Sequence, residues 1–206
     1  HGLSVTPKMI MVKRTSGVAD WMVYHASNTS APETEFLELN TTDATSDNTR
    51  WNDTAPTTSV FSVGTDDAVN GDAETYLAFV FADVQGYSKF GKYVGNGNAS
   101  GPFVYTGFKP AFVMVKCASA AASEWQIYDH KRPGYNFPNY NLSPNNTTAE
   151  YTGESYHNMD ILSNGFRVLL TDVAVNKSGE TYTYMAFAEH PFVTSTDTNS
   201  IPTTAR

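Results

Sequence analysis

The sequence predicts an all-β protein, and three observations carry that expectation. Aromatic residues make up 13% of the 206 residues, with 12 Tyr and 12 Phe, a mix that suits pleated, half-buried surfaces. Thr, Asn, Ser and Gly crowd the remainder, the vocabulary of strands joined by polar turns. Short apolar or alternating runs recur along the chain, and no segment carries an apolar helical stripe with caps. Hydrophobic residues reach 40% and charged residues 17%, so the chain can bury a core and is not globally disordered.

An internal duplication organises the chain. Pro7-Lys8-Met9-Ile10-Met11-Val12-Lys13 returns as Pro110-Ala111-Phe112-Val113-Met114-Val115-Lys116, and Trp21-Met22-Val23-Tyr24 returns as Trp125-Gln126-Ile127-Tyr128. Phe61 answers to Phe166, and Ala68-Val69-Asn70 and Glu74-Thr75-Tyr76 answer to Ala174-Val175-Asn176 and Glu180-Thr181-Tyr182. Phe81-Ala82-Asp83 closes the series against Phe187-Ala188-Glu189. The offset drifts from 103 (Pro7 to Pro110) to 106 (Phe81 to Phe187), as single-residue loop insertions would produce. The chain therefore divides into a first module over 1–92, a second over 93–192, and a Thr- and Ser-rich tail over 193–206 that reads as an extended arm.

Each module reads as a string of short strands, in order. Met9 to Val12 and Phe112 to Val115 are apolar throughout, which suits strands buried on both faces. The Trp-x-x-Tyr segments at 21 and 125 follow polar loops and form second strands. In Glu180 to Glu189, Tyr182, Tyr184, Ala186 and Ala188 share one face, and Thr181, Thr183, Met185 and Phe187 the other, so both faces carry bulk. Ser163-Asn164-Gly165 and Asn176 to Gly179 supply turns before strands. This spacing predicts a β-sandwich per module, jelly-roll or lectin-like, with Trp21, Trp125, Phe81 and Phe187 as core anchors. Residues 93–105 form an opening hairpin for the second module. The first begins past that point, so its opening strand is missing, to be supplied by upstream chain or by another chain.

Charge and cysteine narrow the function classes. Net charge is −8 and the pI about 5.0, with no basic cluster, which opposes nucleic acid and anionic lipid. The single cysteine, Cys117, excludes an internal disulfide and reads as a small core residue. No apolar run is long enough to cross a bilayer, so membrane insertion is not expected.

Several phrases resemble modules of tail-fibre-like structural proteins of marine bacteriophages. They are Pro7 to Lys13, Tyr93-x-Gly95-Asn96-Gly97, Gly107 to Lys116, Ser163 to Phe166, Tyr184 to Glu189, and the ending Pro202-Thr203-Thr204-Ala205-Arg206. The resemblance implies a virion surface protein, extracellular after release, that is not an enzyme. Its partners would be further copies of itself, other virion proteins, and a host-surface glycan or protein. Capsid decoration or a filament subunit is the architectural alternative.

No catalytic constellation, cofactor or metal site is expected. His1, His25, His130, His157 and His190 form no i, i+4 pair, none sits with Cys at zinc spacing, and they read as surface or turn positions. Asp66 and Asp172 precede matching Ala-Val-Asn triplets and read as Asx-turns rather than calcium ligands. Glu33-Thr34-Glu35-Phe36-Leu37-Glu38 is the one enzyme-like signal, a carboxylate pair of glycosidase type, but strand alternation turns Glu38 away from Glu33 and Glu35. The candidate binding surface is the loop 132–141, where Tyr135, Asn136, Phe137, Asn139 and Tyr140 combine stacking with hydrogen bonding.

Overall fold

The first apolar run forms β1 (Met9–Arg14), a strand with neighbours on both sides. The computed structural model describes residues 1–132, 140–152 and 158–191. Outward on one side of β1 lie β2 (Met22–His25), β3 (Glu35–Glu38) and the short β4 (Ser46–Asp47); on the other lies β5 (Tyr76–Phe81). The second repeat builds a central sheet ordered β6-β12-β8-β9, from β6 (Ser88–Val94), β8 (Pro110–Cys117), β9 (Gln126–Asp129) and β12 (Thr181–Ala188). A third sheet is ordered β10-β11-β7, from β7 (Ser100–Tyr105), β10 (Asn158–Leu162) and β11 (Gly165–Leu169). All pairings are antiparallel.

The two repeats lay matching strands in matching order, β2-β1-β5 against β9-β8-β12. Details below the strands repeat as well. Tyr76 Oη donates to Asp67 O (2.6 Å) and accepts from Gly71 N; Tyr182 Oη donates to Val173 O (2.8 Å) and accepts from Lys177 N. Lys13 and Lys116 each send the ammonium to a backbone carbonyl of the following loop, Ala19 O and Ser123 O. Asp66 and Asp172 accept from the amides of Ala68 and Ala174, both at 2.8 Å, so the repeated Asp does form the Asx-turn, and Asp66 caps the one-turn helix α1 (Asp67–Asn70).

The sheets stack in three layers rather than dividing into one sandwich per repeat. Val113, Val115, Cys117, Tyr182 and Tyr184 of the central sheet pack on Val104, Met159, Phe166 and Val168 of the third. The opposite face, with Met114, Met185, Phe90 and Trp125, packs on Met9, Val23 and Leu37 of the first repeat. Phe81 and Phe187, matching positions, meet there with ring centroids 6.1 Å apart. Each copy thus covers the other's Met/Phe face, which explains why β12 is bulky on both sides. Among the described residues, the first sheet's outer face is closed by Trp51, Phe61, Val63 and α1 rather than by a further sheet.

Three expectations are revised. The second repeat's strands begin at Ser88, ahead of the boundary drawn at 93. Residues 93–105 are not a paired hairpin: β6 joins the central sheet and β7 the third, so this strand–turn–strand unit is an arch across two layers. His25 is not on the surface. It is 2% exposed between the first and central sheets. The extended-arm reading of 193–206 lies outside the described residues.

Candidate functional site

The repeats differ most at β5. Its copy, β12, is paired on both sides, with β8 and with β6, whereas β5 has β1 on one side and, among the described residues, no strand on the other. The bond from Thr15 N to Thr75 O sets the phase of the β1 ladder. Antiparallel alternation then turns Leu77, Phe79 and Phe81 toward β1 and leaves the amides and carbonyls of Tyr76, Ala78 and Val80 facing outward. The matching groups of Tyr182, Tyr184 and Ala186 bond β6.

Exposure follows pairing. Leu77 is 48% and Phe79 40% exposed, while their counterparts Thr183 and Met185 are 1% and 6% exposed. Trp21 stacks on Phe79 at 6.2 Å and is only half-buried, so it is an edge residue and not the core anchor its copy is. That copy, Trp125, is 2% exposed and donates from Nε1 to Glu38 O (2.9 Å) in the first repeat. Phe81 and Phe187 are half-buried and pack against the inter-sheet cluster. An uncharged edge of sequence Tyr-Leu-Ala-Phe-Val-Phe, with no Pro or bulge, carries none of the devices that keep sheet edges from pairing.

Two flanking elements share the asymmetry. Tyr182 is fully buried, with Tyr93 stacked on it at 5.0 Å and 9°; Tyr76 has no such plate among the described residues and is half-buried. Asn176 is fully buried and clamps the arch turn: its Nδ2 donates to Asn98 O and Leu170 O, and its Oδ1 accepts from Asn96 N. Asn70 keeps only the internal half of that pattern, donating to Gly64 O, and is exposed.

The sequence-predicted sites fall elsewhere. Tyr135, Asn136, Phe137 and Asn139 lie outside the described residues, and Tyr140 is half-buried beside them. The base of that loop is fixed by Arg132, which pairs with Asp129 (2.6 Å) and Glu150. Of the acidic stretch, Glu33 sits on a 3-10 turn, Glu35 lines a cavity of about 400 Å³ with Asn28, Thr45 and Lys92, and Glu38 faces Arg50 at 3.9 Å. Burial raises the Glu38 carboxyl above the usual range, with Asp20 adding to it. The cavity takes neither Glu33 nor Glu38.

His25 locks the repeats together. Ser27 N–H can only donate, so Nδ1 accepts (3.1 Å) and Nε2–H donates to Tyr184 O across the interface (3.1 Å). Burial lowers its pKa to about 4. Its isolation in the sequence gave no sign of this, since burial here comes from the second repeat.

Residues 1–191 match the DUF7483 family, a domain of unknown function. The chain belongs to that family. The DUF7483 match spans both repeats, so first sheet, central sheet and third sheet fall within one family unit. No curated protein and no solved structure matches the chain.

Proposed function

We propose that this DUF7483 chain is a non-enzymatic assembly module of a virion surface, joined to its neighbours through the open sheet edge of the first repeat. The observation that carries the reading is the contrast between β5, which has no strand on its outer side among the described residues, and β12, paired on both. An apolar sheet edge associates through main-chain hydrogen bonds and alternate side chains, which needs no catalytic group. The resemblance to tail-fibre-like modules supplies the setting, with host attachment through the 132–141 loop as the task such an assembly would serve.

Immunogold labelling of intact particles from the source tests this reading. Gold on the particle surface, at tail, fibre or head, is the expected result. Label confined to material that never sediments with particles would overturn it.

A further inference from the structure

We propose that the cavity between the two repeats binds a neutral saccharide unit, its hydroxyls held by Asn28, Glu35 and Lys92. The cavity's volume of about 400 Å³ falls at the lower end of the range for small-molecule pockets. It lies at neither the β5 edge nor the 132–141 loop, and its occupancy does not depend on how the chain assembles.

Strand alternation opens this cavity. Phe90, Lys92 and Val94 share one face of β6, and their partners Met185, Thr183 and Thr181 share the same face of β12. The Phe90–Met185 pair packs into the inter-sheet cluster, whereas the next two pairs bring in an ammonium and two hydroxyls. The apolar seam between the repeats thus gives way to a polar wall at that end. The first repeat supplies the facing wall: Asn28 and Thr29 after β2, Glu35 at the start of β3, and Thr45 just before β4. Hydrogen bonds hold that wall in place. Asn28 N donates to His25 O and Thr45 N to Ala118 O of the second repeat, both at 2.9 Å. Trp51 Nε1 donates to Glu35 O at 3.0 Å.

Two buried atoms of this wall define the ligand. Asn28 is 4% exposed, and its Oδ1 accepts from Thr45 Oγ1 at 2.7 Å. Its Nδ2 is buried with no hydrogen-bond partner among the described residues, and so is Glu35 Oε2. Buried polar atoms are nearly always paired, so two such atoms on residues lining one cavity mark a place for a ligand's polar groups. Nδ2 needs an acceptor and Oε2 a donor. A hydroxyl is both, and it serves either orientation of the Asn28 amide. Lys92 adds further donors, and Thr29 and Thr181 add hydroxyls of their own. The Glu35 carboxylate and Lys92 ammonium offset each other, which favours a neutral ligand over an ion. Among the described residues no aromatic ring lines the cavity, so ring hydroxyls rather than stacking carry the recognition.

The test is an NMR titration of the isotope-labelled full chain with glucose, galactose, mannose and N-acetylglucosamine in turn. At least one sugar should saturably shift the Asn28 side-chain amide and the Thr29 and Thr45 backbone amides, with a Kd of about 1 mM. Glu35 is half-buried and Lys92 exposed, so Glu35→Gln and Lys92→Met should keep the wild-type Tm. Each should weaken binding about tenfold. If no sugar moves these amides, water alone serves Asn28 and Glu35, and the proposal is overturned. Binding of equal strength in both variants would overturn it too. So would saturation of the site by glycine, which would make it a zwitterion site instead.

Discussion

Replacing Trp125 with Ala is expected to cost the most of any single substitution in the inter-sheet core. The indole is 2% exposed, packs among Met9, Val23, Leu37 and Met114, and donates to Glu38 O in the other repeat. Truncating a buried Trp costs about 3–5 kcal/mol, and the orphaned carbonyl adds about 1–3 kcal/mol. For a domain of this size that corresponds to a drop in Tm of roughly 10–20 °C. Trp21→Ala removes the matching residue of the first repeat, half-buried and stacked on Phe79 at the open edge, and should cost only about 1 kcal/mol. Urea titrations of the two variants check the contrast. Equal losses would mean that Trp21 is as well covered as Trp125, against the architecture described above.

Acid should weaken the contact between the repeats before it titrates the carboxylates. His25 is held neutral, with Nδ1 accepting from Ser27 N and Nε2–H donating to Tyr184 O. Burial is the main cause of its lowered pKa, about 4, with the Tyr184 carbonyl and Asp83 opposing and Lys8 assisting. The unfolded chain binds a proton near pH 6.5 and the folded chain resists until about pH 4. The stabilisation is therefore complete above pH 6.5 and is lost as pH falls toward 4. The loss is about 3 kcal/mol. His25→Gln can keep a donor toward Tyr184 O and carries no titration, so the loss of stability across that window should shrink to what the carboxylates, the raised Glu38 among them, contribute. A wild-type stability independent of pH between 6.5 and 4 would contradict the buried neutral imidazole.

What was legible in the sequence was the local and the repeated. The runs at Met9 and Phe112 form β1 and β8, the Asn164 turn joins β10 to β11, and the repeated Asp residues cap turns. These features depend on neighbours within a few residues or on comparing one copy with the other. What was not legible depends on which face meets which. A row such as Met9, Met11 and Phe81 looks the same whether it closes a sandwich within its own repeat or packs against the other copy. Only the stack shows the second. The same ambiguity hid the burial of His25, and it gave Trp21 and Trp125 one reading although the second repeat covers its Trp and leaves the other at an edge. In sequence the arch reads as a hairpin because the turn chemistry of the two is alike; the arms separate into two sheets only because β12 and β11 each pair with one of them.

Amide hydrogen exchange on the isolated chain tests the open edge most directly. The outward amides of Tyr76, Ala78 and Val80 should exchange as fast as loop amides, while Leu77, Phe79 and the whole of β12 stay protected. Uniform protection along β5, equal to that of β12, would mean that its outer edge is already paired and would contradict the account.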